Sequence, residues 1–234
     1  MKDLFGLAML DFQTNNSPEN IVTETSISDQ DEMLVDYLFR SYSQMPMIEQ
    51  KALELCFGKI LDVGCGAGSH SLHLQNEKNL EVVAIDISEK AIKTCELRGL
   101  KNTSVKNILD LENQKFDTIL LLMNGTGIFG TIDNTKLHLE KLKSLLNKNG
   151  QILIDSSDLK YMYDEDDFDY LKNNSEKYYG EIEFNISYKN QKEEPFNWLY
   201  LDFEKLKSIS SKIGFDCKLI IEGNNFDYLA QLTF

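Results

Sequence analysis

The fold of this chain is decided by residues 59–74, KILDVGCGAGSHSLHL. The stretch begins with a short apolar run, residues 59–63, that contains one carboxylate, Asp62. An apolar helical pattern begins at Leu72 and Leu74, and between the two lie three glycines at alternate positions: Gly64, Gly66 and Gly68. In α/β proteins a strand, a glycine turn and a helix in this order present backbone N–H groups to a small ligand. The stretch therefore predicts a strand-end site for a nucleotide-like molecule.

The bulk composition indicates a globular protein with a sizeable core. The chain has 234 residues, of which 42% are hydrophobic and 26% charged, values that are ordinary for a folded domain. The formal net charge of −14 disfavours a nucleic-acid partner, because phosphate backbones are bound mainly by basic surfaces. No apolar run is long enough to span a membrane, and we expect no membrane partner.

The four cysteines and the N-terminus predict a cytoplasmic protein. The cysteines are widely spaced and form no CxxC pair: Cys56, Cys65, Cys95 and Cys217. This spacing suggests neither a zinc site nor a disulfide framework, and we expect no metal. The first residues lack the continuous apolar segment of a signal peptide.

Strands and helices alternate after the glycine turn. Further strands are predicted at residues 81–86, 103–107, 116–123, 151–155, 215–222 and 226–234. A helix capped by Ser88 follows the second strand and ends at Gly99. The run at 116–123 is wholly apolar, as a central parallel strand requires. Asn224 and Asn225 suggest a tight hairpin, so the last strand should be antiparallel to its neighbour.

Two regions lie outside this alternation. Residues 13–30 are polar and predict a loop, and helical spacing predicts two helices in a cap at residues 1–57, one from Asp31 to about Tyr42 and one from Pro46 to Gly58. Within the main domain, residues 58–234, an insertion at 157–201 contains a predicted β-hairpin at 181–188 and 196–201. We expect the cap and the insertion to close over the carboxyl ends of the strands.

The type of ligand follows from the residues around the glycines. Asp86, at the end of the second strand, either accepts both hydroxyls of a ribose or caps the following helix. The spacing GxGxG differs from the GxGxxG of nicotinamide-binding turns, and no GK[ST] follows as in a P-loop. Asp62 would repel a pyrophosphate but suits a ligand with a positive amino group. S-adenosylmethionine has such an amino group, a ribose and no phosphate.

Several motifs together resemble the class I S-adenosylmethionine-dependent methyltransferases. The matching runs are LDVGCGAG (61–68), VVAIDIS (82–88), FDTILLLMNG (116–125), NGQILIDSSD (149–158) and YLAQLTF (228–234). The resemblance implies an α/β, Rossmann-like seven-stranded mixed sheet in the order 3-2-1-4-5-7-6, with strand 7 antiparallel. It also implies that S-adenosyl-L-methionine is the cofactor.

The resemblance also implies a set of cofactor-binding residues. Those expected at the methionine part are Asp62, Gly64, Cys65 and Gly66. Those expected at the ribose and adenine are Asp86, Ile87, Asn107 and Ile108, with asparagine in the place of the family's usual aspartate and Asp110 as the alternative. Those expected where the reactive end of the cofactor meets the substrate are Met123 and Asn124.

One arginine and several possible bases complete the prediction. Arg40 either pairs with the cofactor carboxylate or a substrate anion, or forms a surface salt bridge. No catalytic residue is assigned, although His70, Asp158, Tyr161 and Tyr163 are candidates for a base. The sequence thus predicts methyl transfer to a small-molecule acceptor. The alternatives are a non-catalytic protein that binds S-adenosylmethionine and, on the same fold, an NAD-type oxidoreductase.

Overall fold

The structure is a computed structural model that describes residues 2–166, 168–169 and 177–234. Its strands are β1 (Ile21–Thr25), β2 (Ser28–Met33), β3 (Ile60–Val63), β4 (Val82–Asp86), β5 (Thr103–Val105), β6 (Phe116–Leu121), β7 (Leu146–Ser157), β8 (Glu181–Tyr188), β9 (Gln191–Lys192), β10 (Phe196–Leu199), β11 (Asp216–Glu222) and β12 (Asp227–Thr233). Its longer helices are α1 (Leu4–Thr14), α2 (Met47–Leu55), α3 (Ser69–Asn76), α4 (Glu89–Leu97), α5 (Ile132–Ser144) and α6 (Phe203–Lys212).

The main sheet has seven strands in the order β11-β12-β7-β6-β3-β4-β5. Strands β3 to β7 pair in parallel, whereas β12 is antiparallel to both β7 and β11. This confirms the predicted order 3-2-1-4-5-7-6 with an antiparallel seventh strand. It also confirms the Rossmann-like fold.

The two faces of this sheet bury separate apolar clusters, and β6 shows how. Ile119 and Leu121 pack against the cluster that contains α5, whereas Leu120 packs with α2 and α3 on the other face. Successive side chains of a strand point to opposite faces. The part of a strand that is covered on both faces is therefore apolar without interruption, as residues 119–121 are.

A second, smaller sheet joins two regions that are distant in sequence. Its order is β10-β8-β1-β2, with β9 paired to β8 beyond this path. Strands β8 and β10 confirm the hairpin that was predicted within the insertion, while β1 and β2 come from the N-terminal region. Residues 167 and 170–176 of the predicted insertion lie outside the described residues. We call the second sheet, α1 and residues 34–39, which follow β2, together the cap.

Two predictions for the N-terminal region were wrong. The expected loop at 13–30 contains β1 and the start of β2, and the expected helix from Asp31 is the end of β2 followed by a 3-10 helix at Val35–Phe39. Leu34 and Tyr37, which produced the helical spacing, are exposed rather than part of a core face. β1 is a strand because it pairs with β8, whose residues lie some 160 positions away. Helix α2 follows Pro46 as predicted.

The cap lies over the carboxyl ends of the parallel strands. Helix α1 packs against α4, and a methyl group added at Gly66 would approach the Met9 sulfur to 3.8 Å. The Ser69 hydroxyl at the start of α3 donates to the Leu38 carbonyl at 2.8 Å. These contacts place the cap beside the glycine turn, where ligands of such sheets bind.

Candidate cofactor site

The glycine turn between β3 and α3 adopts a backbone that favours glycine. Gly64, Gly66 and Gly68 have φ angles of 74°, 53° and 82°, in the left-handed region where other residues are strained. The N–H groups of Gly64 and Cys65 donate to the Ile85 carbonyl at 2.9 and 3.1 Å. These bonds hold the turn against the end of β4.

Asp86 binds the glycine turn directly. Its carboxylate accepts from the Gly66 N–H at 3.0 Å and from the Ser88 N–H at 2.9 Å. Burial raises the pKa of Asp86 above its ordinary value, although these two hydrogen bonds oppose the rise. The side chain that caps α4 is Ser88, whose hydroxyl accepts from the Ala91 N–H. Asp86 therefore lies where strand and turn meet, at the expected ribose position.

The expected adenine region has an exposed apolar side chain on one side. Ile87 is 67% exposed, whereas Ile108 is buried. The Asn107 side-chain oxygen accepts from the Leu109 N–H at 2.9 Å and thereby caps a short 3-10 helix at Ile108–Asp110. The side chains of Asn107 and Asp110 are both exposed. Both remain available to a ligand on geometric grounds.

Asp62 lies beneath the turn rather than on its surface. It is 2% exposed, and it accepts from the Ser71 hydroxyl at 2.6 Å. Burial raises its pKa, while His70 and Ser71 oppose the rise. The carboxylate thus adds a negative potential below the turn.

Arg40 belongs to a buried charge cluster. Its ion pair is therefore not the surface salt bridge that the sequence left as one alternative. Its guanidinium contacts both carboxylate oxygens of Glu49 on α2, and the His70 ring nitrogen lies 2.6 Å from the same carboxylate. Burial alone would raise the pKa of Glu49, but the hydrogen bond from His70 and the charges of His70 and Arg40 lower it. The guanidinium stacks on Tyr37 at 4.1 Å, and the Arg40 Nε is buried without a hydrogen-bond partner.

Asp155, near the end of β7, was not among the site residues predicted from the sequence. Its two carboxylate oxygens accept from the N–H groups of Met123 and Gly125 at 3.0 and 2.8 Å. Met123 and Asn124 both have positive φ angles, 65° and 60°, a strained backbone that Asp155 holds in place. Burial raises the pKa of Asp155 to about 6. The signal was present, since ILD, AID and LID each place an aspartate at or near the end of a buried strand.

Hydrogen bonds of hydroxyl groups connect the end of β6 to the insertion. The Ser156 hydroxyl donates to the Asn124 side-chain oxygen at 2.8 Å and lies 2.6 Å from the Thr126 hydroxyl. Thr126 in turn donates to the Leu199 carbonyl at the end of β10 at 2.9 Å. The residues expected at the reactive end of the cofactor are thus linked to the cap.

The candidate bases are largely engaged in other contacts. His70 binds Glu49, and the Asp158 carboxylate accepts from the Tyr179 hydroxyl at 2.8 Å. The Tyr163 hydroxyl donates to the Tyr179 carbonyl, while Tyr161 stacks on Phe226 with ring centroids 4.6 Å apart. Within the described part of the chain, no group of three or more His, Cys, Asp or Glu residues is placed to hold a metal ion.

Comparison with known proteins gives the family. A methyltransferase-domain family model matches residues 58–217, which is more than half of the chain. The chain belongs to the S-adenosylmethionine-dependent methyltransferases. A member of this family from Bacteroides fragilis, crystallised in complex with S-adenosyl-L-homocysteine, is 44% identical over 99% of this chain and 94% of that one, with a TM-score of 0.89. The resemblance inferred from the motifs is therefore confirmed.

More distant structures show the same fold. A methyltransferase from Clostridium acetobutylicum is 17% identical with a TM-score of 0.58, over 85% of this chain and 95% of that one. The sugar N-methyltransferase KedS8 from Streptoalloteichus is 11% identical with a TM-score of 0.57, over 85% and 92%. No protein in a search of curated sequences matches the chain.

The methyltransferase uses S-adenosyl-L-methionine, and the residues present fit this cofactor. The turn has left-handed glycines and a carboxylate beside it, with an apolar side chain exposed next to that carboxylate. The unpartnered Arg40 Nε supplies a buried donor. Membership of this family also decides against the two alternatives, an NAD-type oxidoreductase and a non-catalytic protein that binds S-adenosylmethionine. No helix among the described residues is long and apolar enough to cross a membrane.

Proposed function

We propose that this methyltransferase acts on a small-molecule acceptor. The supporting observation is the cap, which is assembled from the N-terminal region and the insertion and lies over the strand ends. A covered site suits a small molecule better than a polymer. The net charge of −14 also favours this proposal over a nucleic-acid acceptor.

We also propose how the chain holds the cofactor. Asp86 would accept from the ribose hydroxyls, with Ile87 and Ile108 against the adenine and Asn107 at its exocyclic amine. The turn, Gly64, Cys65 and Gly66, would follow the methionine part above Asp62. Arg40 would donate through its Nε to the methionine carboxylate, and Met123 and Asn124 would border the reactive end. The position of Asp86 at the glycine turn carries this proposal.

The cofactor supplies an electrophilic methyl group on a sulfonium. The chain then has to align the acceptor in line with that methyl group and exclude water, which lowers the barrier mainly through positioning. The network of Asn124, Thr126 and Ser156 holds the border of the reaction site in a fixed conformation. An acceptor that carries a proton on its nucleophilic atom would release it to water or to a nearby base.

Thermal unfolding tests the cofactor site and separates it from NAD binding. We expect S-adenosylhomocysteine to raise the melting temperature of the wild-type protein and NAD to leave it unchanged. Arg40→Ala should raise the dissociation constant of S-adenosylhomocysteine in calorimetry. The matched control is Lys51→Ala, which removes a cation from an exposed pair on α2. An unchanged constant in Arg40→Ala would exclude the cofactor role of this arginine.

Turnover tests the acceptor class. Formation of S-adenosylhomocysteine should be detected with members of a metabolite panel and not with RNA, DNA or denatured protein as the acceptor. Turnover confined to a macromolecule would overturn the proposal. We further propose that the enzyme is cytoplasmic, which its four free, buried cysteines support.

A further inference from the structure

A cavity of about 380 Å³ lies between the cap and the carboxyl end of β7. Its walls come from the turn between β1 and β2, from the end of β7, from the start of β12, and from Tyr200 after β10. The volume falls in the range of small-molecule sites. A second cavity, of about 300 Å³, lies at the start of β4 around Leu80 and Glu81. That end of a parallel sheet is the one opposite to ligand sites.

The lining of the larger cavity has acidic and aromatic character. It contains one carboxylate, Asp227, and two tyrosines, Tyr161 and Tyr200, and none of its described residues is Lys or Arg. The nearest lysine in sequence, Lys160, places its ammonium over the Phe168 ring at 5.0 Å. An anionic ligand would thus find no cation to pair with among the described residues of these walls.

The polar groups of the lining have free bonding capacity. One oxygen of Asp227 accepts from the Asn225 N–H at 3.0 Å, and the other has no hydrogen bond to a described residue. The hydroxyls of Tyr161 and Tyr200 likewise have no hydrogen-bond partner among the described residues. Tyr161 is half exposed and presents an aromatic ring of the kind that attracts cations.

The cavity adjoins the expected site of methyl transfer. Ser157 in its lining is two positions after Asp155, which holds Met123 and Gly125 at the end of β6. Burial raises the pKa of Tyr37, and the charges of Asp155 and Asp227 both contribute to the rise. The Arg40 guanidinium lies over the Tyr37 ring, 4.1 Å from its centroid.

We propose that this cavity binds the methyl acceptor, and that it selects acceptors carrying a protonated amino group next to an apolar or aromatic portion. Asp227 pairs with the ammonium group, and the tyrosines contact the rest of the molecule. Carboxylates and phosphates are rejected because the described part of the walls offers no positive partner. This inference rests on the proposed small-molecule function and adds the chemical class of the acceptor.

Matched probes test the charge preference directly. Phenethylamine, 2-phenylethanol and 3-phenylpropionate share the phenyl ring and differ in charge. With the protein saturated by S-adenosylhomocysteine, calorimetry should show binding that is strongest for the amine, weaker for the alcohol and absent for the carboxylate. Equal or tighter binding of 3-phenylpropionate, or no binding of phenethylamine up to tens of millimolar, would overturn the proposal.

Variants locate the binding and separate it from the cofactor site. Asp227→Asn keeps the acceptor for the Asn225 N–H and should weaken phenethylamine binding about tenfold or more. It should leave the affinity for S-adenosylhomocysteine unchanged. Asp216→Asn is the control, because this exposed residue on β11 pairs with Lys218 at 3.2 Å outside the cavity. Unchanged phenethylamine binding in Asp227→Asn would refute the role of Asp227 in the cavity. A wild-type protein that does not bind S-adenosylhomocysteine would instead refute the proposed function.

Discussion

Glu49→Ala is the most informative single change for the buried charge cluster. The side chains of Arg40 and Glu49 are only 3% and 6% exposed. Removal of the carboxylate leaves the guanidinium in the interior without its anionic partner, with only the Tyr37 carbonyl and ring as contacts among the described residues, and His70 loses the same carboxylate. A lone buried charge is far more costly than either the intact pair or an apolar replacement.

The magnitude follows from this burial. Breaking a buried ion pair by removing one partner costs about 3–5 kcal/mol of unfolding free energy. For a chain of this length, that loss lowers the melting temperature by roughly 6–20 °C. Replacement of both partners, as Arg40→Met with Glu49→Leu, should recover most of the loss because neither member of the pair then leaves an unpaired charge.

Urea and thermal unfolding at neutral pH measure this effect. Glu54→Ala is the matched control, since Glu54 lies on the same helix in an exposed pair with Lys51 and should leave the melting temperature nearly unchanged. The pKa of Glu49 lies below its ordinary value of 4.5, so its ionised form stabilises the native state above that pH and the contribution fades as the pH falls. The gap between wild type and Glu49→Ala should therefore shrink in acid. A loss in Glu49→Ala no larger than that in Glu54→Ala would refute the reasoning.

Three further changes probe the turn, the strand end and the cap. Asp86→Ala should raise the dissociation constant of S-adenosylhomocysteine in calorimetry by roughly tenfold or more, because the ribose loses charged acceptors; an unchanged constant would contradict the ribose assignment. Asp155→Asn should remove the pH dependence of stability that this carboxyl causes. Its pKa is about 6 in the folded protein against an ordinary value of 3.8, so between these pH values the folded wild type binds more protons than the unfolded chain. As the pH rises from 4 to 6, urea unfolding should show that the unfolding free energy of the wild type falls by up to roughly 3 kcal/mol relative to that of the variant. The same pH dependence in both proteins would argue against this pKa. Gly127→Ala would place a methyl carbon 1.9 Å from the Trp198 ring and should cost at least about 1–3 kcal/mol; an additional Trp198→Leu change should restore part of this, and wild-type stability of the single variant would contradict the packing.

The strands of the main sheet could be predicted from the sequence, whereas strands β1 and β2 of the second sheet could not. Parallel strands such as β6 contain an uninterrupted apolar run because they are buried on both faces, so a short stretch of sequence suffices to predict them. β2, SDQDEM, is an exposed edge strand with a charged sequence, and nothing local distinguishes it from a loop. The sequence motifs predicted that the glycine turn and Asp86 lie together at one site. They did not locate Asp155, whose role depends on its pairing with the backbone of a neighbouring strand.

The sequence by itself determined the order of the main sheet and the class of cofactor, because its local motifs resemble those of a known family that implies both. Left-handed glycines, strand-end carboxylates and apolar runs are properties of consecutive residues. Only the tertiary structure decided that the N-terminal region and the insertion share one sheet, since β1 and β8 are brought together by folding. It also decided that Arg40 is buried against Glu49 and His70, and that a cavity with Asp227 in its wall lies beside β7. Charges are placed by the packing of distant elements, and this packing sets the environment of each group.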